Sequence, residues 1–128
     1  MTALIDRADV ALRSALLLLE TGDAIGATNR AYFAAFDAAR AVLDETTAID
    51  VVAIRTHRGI SHAFEVEIVK TGRLERDVAK LFTLLMEFRW AADYPLAPVD
   101  LGDARRAVSA AETFVHRCRA LIQPGAPR

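Results

Sequence analysis

Apolar residues recur at helical spacing along nearly the whole chain, and this periodicity limits the possible folds more than any other feature of the sequence. Alanine and leucine outnumber the β-branched residues, which favours helices over strands. The stretch 45–54 is rich in β-branched residues, but no second stretch could pair with it, so we predict a loop that enters a helix. The sequence therefore predicts an all-α fold.

Five helices are predicted, each bounded by residues that cap or break helices. Gly22 is typical of the position after a helix C-terminus, and Asp23 and Asp100 are suited to accept hydrogen bonds at the N-termini of the helices that follow. Pro95 and Pro98 end the fourth helix. The predicted bounds are 2–20 with Thr2 as N-cap, 23–44, 56–69, 74–92 and 100–122. Short loops predict an up-and-down antiparallel bundle, one domain over 1–122 with a flexible tail over 123–128.

The same spacing predicts which helix faces are buried. The first helix is expected to bury one apolar stripe, formed by Leu4, Ala8, Leu12, Ala15, Leu16 and Leu19. The second is expected to bury a face of small residues, Ala31, Ala35, Ala38 and Val42. In the third helix, either Ile60 or Ala63 joins Phe64 and Ile68 on the buried side. Alanine-rich faces allow helices to approach closely, both within the bundle and between two copies of it.

Composition excludes several classes of protein. The chain has 128 residues with 16 Lys+Arg against 17 Asp+Glu, so it lacks the global basic field of a histone-like DNA-coating protein, although a local basic groove is compatible with this balance. The single cysteine, Cys118, excludes an intramolecular disulfide and a multi-cysteine zinc site. No uncharged run reaches ten residues, and the start of the chain does not resemble a signal peptide. We therefore expect a cytoplasmic protein without a membrane segment.

Motifs for cofactor, metal and acyl-transfer chemistry are not evident. The glycines are scattered and form no phosphate-binding loop. His57 and His62 are five positions apart, about 140° around a helix, whereas a helical metal-ligand pair needs a spacing of three or four. Ser61 and His62 lack the strained turn of a nucleophilic serine. No cofactor and no metal are expected.

One pair on the second helix invites a chemical interpretation. Arg30 and Asp37 are seven positions apart, so they lie nearly above one another on a face that is otherwise small and apolar. Arg30 is either a rim arginine paired with Asp37 or Asp23, or a cation held in a cleft to receive phosphate. A second pair, Arg89 and Asp93, is spaced as a helical ion pair and is predicted to be structural.

Four segments in order along the chain resemble the HEPN superfamily, and in particular its small stand-alone bacterial and archaeal members. The segments are NRAYFAAFDAA (29–39), RTHRGI (55–60), VKTGRL (69–74) and RWAADY (89–94). The resemblance covers nearly the whole chain. It implies a helical bundle that dimerises along its second and third helices.

The resemblance also implies a function. Many such proteins are metal-independent ribonucleases, or toxins paired with a minimal nucleotidyltransferase antitoxin, and they carry an arginine followed closely by a histidine. Histidine would move the proton of the RNA 2′-hydroxyl, and arginine would stabilise the charged phosphorane. Arg30 matches the arginine, but Asp37 stands at the histidine position. An aspartate, with an ordinary pKa near 3.9, accepts a proton at neutral pH but hardly returns one.

A substitute pair is Arg55 and His62, which have the same spacing as Arg30 and Asp37, with His57 nearby. Three hypotheses follow. The favoured one is a dimeric interaction module with a nucleotidyltransferase-type partner and weak or no catalysis. The second is a ribonuclease that uses Arg30 with Asp37, or Arg55 with His62, across a dimer cleft. The third is a helical bundle that binds a small nucleotide.

Overall fold

The computed structural model describes residues 3–94, 96 and 98–123, and within them it is all-α, as predicted. Five α-helices follow one another: α1 (Ala3–Glu20), α2 (Ala24–Thr46), α3 (His57–Phe64), α4 (Arg76–Asp93) and α5 (Leu101–Ile122). The predictions for Thr2, Pro95 and most of the tail, 124–128, fall outside the described residues. No helix in the described part of the chain is long and apolar enough to cross a membrane.

The helix ends are set by the predicted capping residues. Gly22 adopts a left-handed φ of +84° after α1. A carboxylate oxygen of Asp23 accepts a hydrogen bond from the backbone N–H of Gly26 at 2.8 Å, and Asp100 accepts one from Asp103 at 2.7 Å. These bonds satisfy backbone donors that the first turn of each helix leaves free.

Helix α2 lies at the centre of the bundle and packs against α1, α4 and α5. Its buried residues are mostly alanines: Ala27, Ala31, Ala34, Ala35, Ala38, Ala39 and Ala41. The predicted face of α2 is confirmed. The predicted stripe of α1 is right for Ala8 and Ala15 but wrong for Leu16, which is 38% exposed, whereas Ile5 and Ala11 are buried. The buried face of α1 is rotated relative to the predicted one because the alanines of α1 allow this helix to approach the alanine face of α2.

The aromatic part of the core lies between α3, α4 and α5. The rings of Phe64, Phe82 and Phe114 contact one another with centroid distances of 5.4–6.3 Å. Tyr32 of α2 is fully buried and stacks on Phe82. Large rings thus fill the space on the side of α2 that the small residues do not occupy.

The connection between α2 and α4 is partly helical. A single 3-10 turn, Val51–Ala53, occupies the predicted loop, and the N–H of Val52 donates a hydrogen bond to the Asp50 carboxylate at 3.1 Å. The predicted third helix is α-helical over His57–Phe64 and continues as a π-helix over Glu65–Val69. Ile60 is the inward residue of the two alternatives, with 1% exposure. This connection brings Phe64 of α3 into contact with Phe82 and Phe114.

Replacing Gly22 by alanine is expected to lower the free energy of unfolding by about 1 kcal/mol, because a Cβ is disfavoured in the left-handed region. Space is not the limit, since an added Cβ would have no heavy atom within 4 Å. Asparagine tolerates this conformation better, so Gly22→Asn should lose less stability. Urea unfolding of the three proteins tests the prediction, and equal losses in both variants would contradict it.

Candidate functional site

Asp37 is one of the few buried polar residues of the bundle. It lies on α2 with 5% exposure, and its carboxylate makes two ion pairs. Arg7 of α1 approaches with an N–O distance of 3.8 Å, and Arg40, one turn further along α2, with 3.5 Å. Asp37 therefore links α1 to α2 through charge.

Burial raises the pKa of Asp37 above that of an ordinary aspartate. The nearby cations Arg7, Arg40 and Arg30 act in the opposite direction and only partly compensate. The loss of solvation thus outweighs the attraction of three guanidinium groups. The result is a carboxylate embedded in a helix interface and enclosed by cations.

Arg30 lies beside Asp37 but does not pair with it. Both line one cavity of about 390 Å³ between α1 and α2, together with Arg7, Val10 and Phe33. The guanidinium of Arg30 lies 5.0 Å from the centre of the Phe33 ring, and no described carboxylate is within ion-pair distance of it. The prediction that Arg30 pairs with Asp37 or Asp23 is therefore wrong, because Arg7 and Arg40 occupy Asp37 and the Phe33 ring supports Arg30.

The substitute pair, Arg55 and His62, is not brought together: Arg55 lies before α3 and His62 lies within it. Arg55 is exposed and precedes Thr56, the N-cap of α3. His62 is exposed and lines a pocket with Arg58 and Glu65. Arg55 does not line that pocket.

His57, the first residue of α3, is only partly exposed and contacts aromatic side chains of α2. Its Nδ1 lies 2.6 Å from the hydroxyl oxygen of Tyr32, and its ring stacks on Phe36 with a centroid distance of 4.3 Å. Burial, together with the charges of Arg89 and Arg40, lowers the pKa of His57. The same burial raises the pKa of Tyr32 to about 12, against the opposing effect of Arg89.

Arg89 of α4 completes this cluster. Its guanidinium lies 5.0 Å from the ring centre of Tyr32 and 5.2 Å from that of Phe33. It also forms the predicted ion pair with Asp93, at 3.6 Å. Arg89 and His57 line one cavity of about 640 Å³ with Tyr32. The structure thus brings together an imidazole, a phenol and a guanidinium.

Sequence reasoning missed this cluster. Tyr32, His57 and Arg89 lie on three different helices and are far apart in the chain. No spacing rule connects them, although each lies in one of the segments that resemble the HEPN superfamily, and His57 was considered only with His62 and beside the pair Arg55 and His62. Among the described residues, no group of three His, Cys, Asp or Glu side chains could hold a metal ion.

Comparison with known proteins identifies the family. The model of the HEPN domain matches residues 1–121. The chain belongs to the HEPN family. A "UPF0332 protein" of Thermotoga maritima is 30% identical over 118 residues, which cover 91% of this chain and 86% of that protein. A Methanocaldococcus jannaschii protein named "Putative toxin MJ0605" is 29% identical over 121 residues, 94% of this chain and 87% of that protein.

The pKa of Asp37 gives this HEPN domain a testable pH dependence. Because the folded-state pKa is raised, ionisation of Asp37 opposes folding, so its contribution to stability is full below the ordinary aspartate pKa and is lost as the pH rises through the folded value. Asp37→Asn mimics the neutral form. The stability of the wild type relative to Asp37→Asn should therefore fall as the pH rises from about 4 through the raised pKa of Asp37.

Urea unfolding of both proteins over this pH range measures the difference. Asp44→Asn is the matched control, because Asp44 is exposed on the same helix. Its stability relative to the wild type should stay nearly constant. A wild type that gains stability over Asp37→Asn with rising pH would show that the ion pairs outweigh the burial of Asp37.

Proposed function

We propose that this HEPN protein is an interaction module of a toxin–antitoxin or nucleotidyltransferase-linked system, a dimer with weak or no catalysis of its own. The observation that carries this proposal is the environment of Asp37. A HEPN ribonuclease needs a group at this position that both accepts and returns a proton at neutral pH. Burial raises the pKa of Asp37, but its carboxylate is engaged by Arg7 and Arg40 and is almost fully covered, so little of it is left to contact an RNA 2′-hydroxyl.

Arg30, the cation expected to act with that group, also differs from a catalytic arginine in its surroundings. Arg30 faces the cavity beside Asp37, but its guanidinium rests on Phe33. A carboxylate next to this cavity repels the phosphate that a catalytic arginine would receive. The electrostatics of the pair thus oppose ribonuclease chemistry at this place and are compatible with a structural role.

Exposed apolar side chains on α1 support binding to another protein surface. Val10 and Leu17 are seven positions apart, on one face of the helix, and are 52% and 61% exposed. Ile25, at the start of α2, is 50% exposed. Apolar side chains grouped on a surface are typical of protein interaction sites. We assign this face to the dimer, in place of the second and third helices that the family resemblance implies, or to the nucleotidyltransferase-type partner.

The Methanocaldococcus jannaschii relative, which is named as a toxin, supports the toxin–antitoxin setting. Its similarity extends over 94% of this chain, so it includes every helix of the bundle.

A second candidate function is a metal-independent ribonuclease, and the observation that favours it is the cavity shared by His57 and Arg89. Imidazole and guanidinium are the two groups that this chemistry needs. The third helix therefore provides a histidine for such a site at His57 as well as at His62, the position predicted with Arg55.

Incubation of purified protein with a mixed RNA pool in EDTA separates the two functions. We expect no cleavage by the wild type or by Arg30→Ala. Cleavage that is abolished by His57→Ala and Arg89→Ala would establish the second function, and cleavage lost in Arg30→Ala would place the reaction at Asp37 instead. Arg105→Ala, an exposed arginine on α5, is the control for loss of surface charge.

Light scattering tests the dimer. At micromolar concentration the particle mass should be twice the 14.0 kDa of one chain. If the α1 face forms the interface, the double variant Val10→Ser/Leu17→Ser should dissociate into single chains while remaining helical by circular dichroism. A wild type with the mass of a single chain would contradict the homodimer.

A further inference from the structure

Helices α1 and α2 run antiparallel, and two cavities of about 390 Å³ each lie along the groove between them. Val10, in the first half of α1, lines the first cavity, and Leu18, near the end of α1, lines the second together with Asn29 of α2. Arg30 and Phe33 of α2 line both, so the cavities form one continuous surface, which we call the α1–α2 groove. Volumes in this range are typical of binding clefts.

The first cavity has balanced charges and mostly apolar walls. Two guanidinium groups and two carboxylates line it together with three apolar side chains: Arg7, Arg30, Asp6, Asp37, Val10, Ala11 and Phe33. An anion bound here would meet the two carboxylates, and a cation would meet the two guanidinium groups. The first cavity is therefore suited to an apolar side chain.

The second cavity presents a cation that no carboxylate neutralises. Its charged residues are Arg30, Arg89 and Asp93, and Asp93 forms its ion pair with Arg89, at 3.6 Å. Asp37 lines only the first cavity, and Arg30 takes part in none of the ion pairs of the described residues. A carboxylate in the second cavity would form a charge-assisted hydrogen bond with Arg30.

Asn29 adds a requirement for a donor in the same cavity. Its Oδ1 is buried and has no hydrogen-bond partner in the part of the chain that the structure describes. A buried acceptor without a partner is unfavourable, and an N–H group of a bound segment would satisfy it. Asn29 and Arg30 are adjacent in the chain, so the second cavity asks for an acceptor and a donor close together, which a peptide segment supplies.

An exposed cation also lies within the apolar face of α1. Arg13 follows Val10 by three positions and precedes Leu17 by four, so the three side chains share one face of the helix. Arg13 is exposed and forms no ion pair with any described residue, whereas Asp6 is an exposed carboxylate at the N-terminal end of the same face. The middle of this face is therefore positive.

The position of Arg13 disfavours a second copy of this chain as the occupant. Arg13 lies midway between Val10 and Leu17, so a two-fold contact of α1 with α1 that joined these apolar side chains would place the two Arg13 residues opposite each other. Like charges that face each other across an interface are unfavourable. An acidic partner meets the same cation favourably.

We propose that the α1–α2 groove binds an acidic, partly apolar segment of the partner protein. An apolar side chain of that segment enters the first cavity, a carboxylate binds Arg30 in the second, and a further carboxylate contacts Arg13. This inference rests on the interaction-module function proposed above, and it assigns the α1 face to the partner rather than to the dimer.

Selection from a library of random peptides displayed on phage tests the chemistry of the segment. The library is bound to the wild type after depletion on the double variant Arg13→Ala/Arg30→Ala, whose fold is checked by circular dichroism. We expect the enriched peptides to combine aspartate or glutamate with leucine, isoleucine or phenylalanine. Enrichment of basic peptides, or no enrichment over the double variant, would overturn the proposal.

Fluorescence anisotropy with the most enriched peptide measures the contribution of each residue. Arg30→Ala should weaken binding about tenfold, the effect of one charge-assisted contact, and Arg13→Ala about threefold, because Arg13 is exposed. Asp6→Asn should strengthen binding about twofold, since it removes an exposed carboxylate from the same face. Arg105→Ala, exposed on α5, is the matched control and should bind as the wild type does. Equal affinities of Arg30→Ala, Asp6→Asn and the wild type would contradict the assigned contacts.

Two other occupants are distinguished by their own measurements. A wild-type dimer that Val10→Ser/Leu17→Ser converts to single chains in light scattering would place a second copy on this face and overturn the proposal. An oligoribonucleotide that binds more tightly than the enriched peptide, with the same dependence on Arg13 and Arg30, would overturn it in favour of RNA.

Failure of this inference differs from failure of the proposed function. Without RNA cleavage and without acidic enrichment, the groove proposal fails while the interaction-module function stands with its partner on another surface. Cleavage of RNA by the wild type together with acidic enrichment would contradict the weak or absent catalysis and support the groove.

Discussion

The packing of α1 and α5 against the alanine face of α2 determines the rest of this bundle. Because the buried residues on that face are so small, these two helices can approach α2 closely, whereas the large rings of Tyr32 and Phe82 lie between α2 and α4. The large rings of α2, Tyr32, Phe33 and Phe36, are therefore at its edge and face α3 and α4. These three rings form the aromatic edge of α2, and the polar side chains of His57 and Arg89 contact it.

Much of this fold follows from local sequence rules. Asp23, Asp100 and Gly22 act on their own neighbours in the chain, so their capping roles are visible without a structure. The buried face of α1 was harder to predict, because four consecutive leucines, 16–19, cover the whole circumference of the helix and blur its periodicity. The contact between the alanines of α1 and those of α2 determines which face of α1 is buried, and this contact depends on two helices together. The π-helical turn after Phe64 is likewise not encoded in apolar spacing.

The same difference between local contacts and contacts between helices applies to the candidate site. Sequence reasoning placed Arg30 and Asp37 on one helix face, and the structure puts both beside one cavity. Two of their partners are local, since Phe33 follows Arg30 and Arg40 follows Asp37 by three positions on α2, whereas Arg7 reaches Asp37 from α1 and depends on how the two helices pack. His57 was singled out only by type, since its hydrogen bond to Tyr32 joins residues 25 positions apart. Contacts between helices carry the site, and a single sequence does not report them.

The ion pairs of Asp37 constrain how this chain could change over generations. Arg40 is largely covered, and among the described residues Asp37 is its one ion-pair partner. A histidine at position 37 would remove that anion and, when protonated, would place a third cation between Arg7 and Arg40. Positions 7, 37 and 40 are therefore coupled, and a histidine at position 37 is best accommodated together with an uncharged residue at position 7 or position 40.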